Sequence, residues 1–214
     1  MELILCLAVG YFFGCISSGY IVGKFYQKDI RELGSGNAGT TNVLRNFGVV
    51  PAIVTFAGDL LKAVIPILLI RFFFFPQGSW YLPCLYCGLG VVLGHNYPFY
   101  MGFKGGKGIA VTAAVVMSAA HPVMIPVGIA IFLAAVILTR YVSVGSLFVA
   151  WYIPANTFVF YLNDRQFIHM MIISLLFTAL AYFQHRQNIV RLIHGNENKL
   201  WRTQKEKEAI KGHE

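Results

Sequence analysis

Apolar runs long enough to cross a bilayer recur along the whole chain, and this excludes most folds. A spanning helix needs about 20 apolar residues. Inside lipid only helices and closed barrels satisfy their own backbone hydrogen bonds. Seven runs can be marked, at about 3–23, 49–72, 80–97, 107–121, 123–139, 146–161 and 167–184. Only 12% of the 214 residues are charged, against about 25% in a soluble domain. The expectation is an all-α, polytopic membrane protein of seven transmembrane helices, in one domain over 1–214. The fourth run is short, and His121-Pro122 reads as a tight turn after it; merging runs four and five would leave six. Leu3–Val22 has neither a basic n-region nor a small-x-small cleavage site, so it reads as a retained helix rather than a signal peptide.

The net charge of +8 has to be placed relative to the membrane before it implies a partner. With seven spans and the N-terminus outside, one side collects fourteen of the 17 basic residues, leaving Lys62, Arg71 and Arg165. The positive-inside rule makes that side cytoplasmic. A basic tail over 185–214 belongs to it, with Ile189, Leu192, Ile193 and Trp201 suited to an anionic membrane surface and its last residues frayed. Nucleic acid is not an expected partner; membrane lipids are. Cys84-x-x-Cys87 lacks the second pair of a zinc site, and Cys6, Cys15, Cys84 and Cys87 read as small apolar residues. No metal or cofactor is expected.

Four polar segments interrupt the apolar pattern, all on the basic side. In "GSGNAGTTNVLR" (34–45), glycines allow close backbone approach to an anion, and Ser35, Asn37 and Thr41 supply neutral hydrogen-bonding groups. A helix beginning near Thr40 would put Thr41 and Arg45 on one face, with Arg45 free for a bidentate phosphate contact. A flexible loop is the plainer alternative. "GHNYPFYMGFKGGKGIA" (94–110) holds His95, Asn96, Lys104, Gly105, Gly106 and Lys107 just before a helix N-terminus, where anions bind. It is not a Walker loop, because Met101 and Gly108 stand where Gly and Ser or Thr are needed. "FQHRQNIVRLIHGNENK" (183–199) brings His185, Arg186 and Asn188, and "TRYVSVGSLF" (139–148) brings Arg140, Ser143 and Ser146. Asp59 and Lys62, three apart within the second run, read as an ion pair supporting the site rather than touching substrate. The convergence points to a phosphorylated, partly lipidic substrate at the inner surface.

Several chemistries can be eliminated. No His is followed by Asp after four intervening residues, so the common acyltransferase dyad is missing. There is no Gly-x-Ser-x-Gly elbow and no paired-carboxylate metal–diphosphate site. A transporter of an organic phosphate would place its charges near the midplane of matched inverted halves, a pattern not visible here; a lipid-binding protein without activity is a further alternative.

"SGNAGTTNVLR", "GHNYPFYMGFKGGKGIA", "HRQNIVRLIHGNENK" and the "GDLLKAVIP" of the second run closely resemble the signature segments of the bacterial membrane acyl-phosphate:glycerol-3-phosphate acyltransferases. Ala38 and Thr40 depart from that pattern, where many relatives carry Pro and Ala. The resemblance implies transfer of a fatty acyl group from acyl phosphate to the 1-hydroxyl of sn-glycerol 3-phosphate. The products are lysophosphatidate and phosphate, the first acylation of phospholipid synthesis, made at the cytoplasmic side of the inner membrane. An acyl-phosphate-producing enzyme is then a candidate partner, and the expected state is a monomer or weak oligomer. On this reading Asn37, Lys104, His185 and His95 are the candidate catalytic residues. Ser35, Gly36, Asn37 and Thr41 would hold the acyl phosphate. Arg45, Ser143, Arg186 and Asn188 would hold glycerol 3-phosphate together with Lys104 and His185. Asn96, Gly105, Gly106 and Lys107 complete the binding set, with Lys104 favoured over Lys107 for substrate contact.

Overall fold

The computed structural model describes residues 1–75 and 80–201, and every regular element among them is helical. The helices are α1 (Glu2–Cys15), α2 (Ser18–Phe25), α3 (Thr40–Phe47), α4 (Val49–Leu69), α5 (Tyr81–Asn96), α6 (Ile109–Ala119), α7 (Met124–Thr139), α8 (Val142–Val149), α9 (Tyr152–Tyr161), α10 (Phe167–Gln184) and α11 (Arg186–Ile193). Each of the seven apolar runs carries a helix. Four stretches reach spanning length: Glu2–Phe25, Val49–Phe74, Val142–Tyr161 and Phe167–Gln184. Ile109–Ala119 and Met124–Thr139 are shorter apolar helices. The basic tail beyond Trp201, with Arg202, Lys205, Lys207 and Lys211, lies outside the described residues.

The centre of the bundle is a seam between α1 and α5. Gly10 and Gly14 on one face meet Gly90 and Gly94 on the other. A Cβ on Gly10 would lie 2.0 Å from the Cys87 carbonyl oxygen, and one on Gly94 would lie 2.1 Å from that of Tyr11. The backbones therefore touch, which is how small-x-x-x-small helices associate where lipid offers no hydrophobic drive. Leu85, Val91, Val115 and Phe177 pack around this seam in the main core.

The first run is not continuous. Ile16 and Ser17 are extended and separate α1 from α2. The carbonyls freed there are taken by long side chains: Lys62 Nζ donates to Ile16 O at 2.7 Å and Tyr100 Oη to Cys15 O at 2.8 Å. Exposed carbonyls at a helix end need such partners when water is excluded.

Ile30, Ala38 and Val43 of residues 26–48 form a small second core with Val22, Ala52 and Met101. Asn42 holds it closed. Its Nδ2 donates to Ile30 O (3.1 Å) and Leu33 O (2.9 Å), and its Oδ1 accepts from the Ser35 N–H (3.0 Å).

Candidate active site

The loop ahead of α3 turns through Gly34 and Gly36, at φ +56° and +69°, values that side-chain-bearing residues adopt only under strain. Asn37 Oδ1 accepts from the Gly39 N–H at 3.0 Å, and the helix starts at Thr40. Thr41 and Arg45, one turn apart, line the same cavity.

The 102–108 loop folds back on the end of α5. The Gly105 and Gly106 N–H groups donate to Asn96 O and His95 O, each at 3.0 Å, so these glycines spend their donors inside the loop. A Cβ on Gly106 would lie 2.0 Å from His95 Nε2; glycine is there because the imidazole needs the space. Gly102 and Phe103 have positive φ and carry Lys104 to the exposed surface. Lys107 turns the other way and donates to Asn188 Oδ1.

Asn188 is oriented from its other end. Its Nδ2 donates to Glu197 Oε1 at 2.9 Å, and Glu197 Oε2 accepts from Arg191 Nε at 2.9 Å. Burial holds the Lys107 ammonium down to about 8, helped by Arg191 and opposed by Glu197. Burial likewise holds His185 down to about 4. Its Nδ1 faces Ala181 O at 2.8 Å. A carbonyl can only accept, so that nitrogen bears the proton and Nε2 keeps a free lone pair.

Two connected spaces result. One is a cavity of about 620 Å³ whose polar end includes Ser35, Thr41, Arg45, Lys107, His185 and Asn188. Its other end is apolar, with Phe56, Val116, Ile129, Phe132, Val149 and Tyr152 among its walls. From Val142 to Tyr152 this wall runs ten residues, or about 15 Å. The second space, about 650 Å³, shares Ser35, Asn37, Arg45, Lys107 and Arg191 with the first and adds Gly36 and Arg186. Among the described residues, four cations and no carboxylate line it.

Ser143 is buried at the cavity wall, and its hydroxyl has no partner among the described residues. Asp59 and His95 line the same cavity. Lys62 stands behind them in ion pair with Asp59 at 2.9 Å.

Most residues singled out from sequence therefore meet: Ser35, Asn37, Thr41, Arg45, Asp59, His95, Lys107, Ser143, His185 and Asn188 line the cavity, and Gly36 and Arg186 the adjoining chamber. Lys104, Gly105, Gly106, Asn96 and Lys62 line neither. Of the two lysines in the loop, Lys107 turns inward, whereas the sequence favours Lys104 for substrate contact. Sequence reasoning missed Glu197, Asn198 and the stapling role of Asn42. The signal of Glu197 in the sequence is that it is the one acidic residue of the segment 183–199.

Fold and cavity together define a class: a helical protein with membrane-spanning stretches, whose apolar cleft ends in a cationic chamber sized for phosphate groups. Residues 4–195 match the family described as Glycerol-3-phosphate acyltransferase, and the chain belongs to that family. A Glycerol-3-phosphate acyltransferase of Thermoanaerobacter pseudethanolicus is 40% identical over 201 residues, covering 94% of this chain and 96% of the relative. One of Clostridioides difficile is 40% identical over 199 residues, covering 92% and 95%. The crystal structure of PlsY (YgiH), an integral membrane glycerol 3-phosphate acyltransferase, in its glycerol 3-phosphate form, superposes with a TM-score of 0.80 at 33% identity, covering 93% of this chain and 96% of that one. Its lysophosphatidic acid form gives 0.77 at 32% identity, covering 93% and 95%.

Proposed function

We infer that this protein acylates glycerol 3-phosphate to lysophosphatidate, taking the acyl group from acyl phosphate. The observation that carries the reading is the junction at Lys107 and Arg45, where an aliphatic-walled cleft opens into a chamber lined by four cations. A fatty chain and two phosphates are the cargo such a junction accommodates. The glycerol 1-hydroxyl attacks the acyl carbonyl, a carbon–oxygen bond forms, and the acyl–phosphate bond breaks with its electron pair leaving on phosphate. The hydroxyl proton passes to the departing phosphate. His185 Nε2, neutral and with its lone pair free, accepts a hydrogen bond from the neighbouring 2-hydroxyl of the glycerol and so aims the 1-hydroxyl at the carbonyl. Cations and hydroxyl donors stabilise the charge that develops on oxygen, which in most acyl transfers lowers the barrier more than any other single effect.

Seven spans, an outside N-terminus and a cytoplasmic active site of a bacterial inner-membrane protein complete the reading. They are supported by the concentration of basic residues on one side of that topology. The decisive test uses purified protein in detergent with glycerol 3-phosphate and either acyl phosphate or acyl-CoA. Phosphate release and lysophosphatidate formation only with acyl phosphate are expected; turnover only with acyl-CoA overturns the donor, and no turnover overturns the reading.

A further inference from the structure

Buried charges stand at and behind the cavity wall, and the transfer reaction does not by itself account for them. Asp59, Lys62 and His95 are each less than a tenth exposed, at 1%, 4% and 7%. Burying two unit charges is costly and does not of itself stabilise a protein. Here the pair is held against a histidine that lines the cavity.

Lys62 Nζ donates to Ile16 O at 2.7 Å, lies in ion pair with Asp59 Oδ1 at 2.9 Å, and faces His95 Nδ1 at 2.8 Å. An ammonium has three protons and no lone pair, so it can only donate. The Nδ1 atom facing it must therefore be the bare nitrogen. Asp59 exerts the opposite demand, because a carboxylate would accept from a protonated Nδ1. Its oxygen lies 3.7 Å from Nδ1, beyond hydrogen-bond reach, so Lys62 prevails. The ring proton is left on Nε2, the remaining polar atom of His95.

We propose that Lys62 is a positioning residue that fixes His95 as the Nε2–H tautomer, so that His95 offers the cavity a hydrogen-bond donor and not a base. The inference rests on the acyl-transfer reading for its use: a neutral donor at this wall serves the carbonyl oxygen or a phosphate oxygen of the donor substrate. Asp59 keeps Lys62 charged and in place. Ile16 O, freed by the break between α1 and α2, completes the third contact and ties the tautomer to the fold. His185 has the reverse assignment, with its proton on Nδ1. The cavity then holds one imidazole that donates and one that accepts.

The test is nitrogen NMR of histidine-labelled full-length protein in detergent micelles near pH 7, with His95 assigned by its disappearance in His95→Gln. The wild type is expected to show the Nε2–H pattern at His95. Lys62→Met removes the donor and leaves Asp59 as the nearest acceptor, so the proton should move to Nδ1 and kcat should fall by about 10²-fold, the loss expected for one donor. Lys62→Arg, also a pure donor, should keep the Nε2–H pattern. An Nδ1–H pattern in the wild type, or an unchanged pattern in Lys62→Met, overturns the proposal. The wild-type spectrum decides even if Lys62→Met does not fold, and it requires no turnover, so failure here is separable from failure of the acyl-transfer reading.

Discussion

Lys107 reaches across to Asn188, 81 residues further along the chain, and donates its ammonium to the amide oxygen. This contact joins the loop before α6 to α11 and brings a lysine to the boundary between cleft and chamber. Lys104, three residues earlier, is exposed. A hydrogen bond from a charged group is worth about 1.5–3 kcal/mol. Lys107→Met should therefore raise KM for glycerol 3-phosphate or lower kcat/KM by about 10- to 100-fold. Lys104→Met should change either by less than about threefold. Steady-state kinetics of the two variants side by side check this, and an inverted order would transfer the role to Lys104.

The pH dependence follows from the same lysine. Its folded value of about 8 lies below the ordinary 10.5, so the charge is present below pH 8 and lost as pH rises through it. Affinity for a phosphate dianion should fall on the alkaline side with a midpoint near 8, and Lys107→Met should abolish that limb. Above pH 8 binding should take up a proton, visible by calorimetry in buffers of different ionisation enthalpy. His185, held to about 4, contributes no charge change between pH 5 and 8. An acid limb near 6 belongs to the substrate phosphate, whose second pKa is about 6, and should persist in His185→Gln.

Removing either histidine should not abolish catalysis. With phosphate as the proton acceptor, His95→Ala and His185→Ala should each lose about 10²- to 10³-fold in kcat, as for a lost donor or orienting group. Losses beyond about 10⁴ in both would exceed what a lost donor costs and reach the limit of general acid–base catalysis, making a histidine the base.

The glycine seam makes a stability prediction. Gly10→Ala and Gly94→Ala each force a methyl to within about 2 Å of a backbone carbonyl oxygen, and overpacking of this kind costs about 1–3 kcal/mol. Gly102→Ala meets nothing within 4 Å and should carry only the penalty of its φ of +63°, about 1–2 kcal/mol. Thermal unfolding in detergent should rank the first two below Gly102→Ala.

Orientation can be read by labelling. Lys28→Cys and Arg165→Cys occupy exposed loops on opposite sides of the expected topology, while the native cysteines are buried. In whole spheroplasts an impermeant thiol reagent should modify only Arg165→Cys. Modification of Lys28→Cys alone would invert the topology.

How far the sequence can be read differs by element. The apolar runs are plain, because a lipid-facing helix must be apolar along its whole length. The break at Ile16–Ser17 is not, since its sequence remains apolar and only the distant Lys62 and Tyr100 make it tolerable. Gly10, Gly14, Gly90 and Gly94 show their four-residue spacing, but spacing does not say which helix meets which. At the site, residue types in 34–45 and 183–199 point to an anion, and α3 starts at Thr40 as expected. The choice between Lys104 and Lys107 depends on backbone turns at Gly102, Phe103 and Gly108, which two similar lysines in a glycine-rich loop do not reveal. Gly105 and Gly106 look like anion donors, whereas their N–H groups close the loop on His95 and Asn96.

The seam between α1 and α5 also constrains the order of assembly. Helix α1 is made before α5, so its small-residue face stays unfilled until the chain has grown past Gly94. Lys62 has no imidazole to meet until His95 follows, and Lys107 has no amide until Asn188 is made. Catalytic competence thus arrives only once the last spanning segment and α11 are in place. A nascent chain halted before α11 would hold a lipid-facing bundle without a working centre.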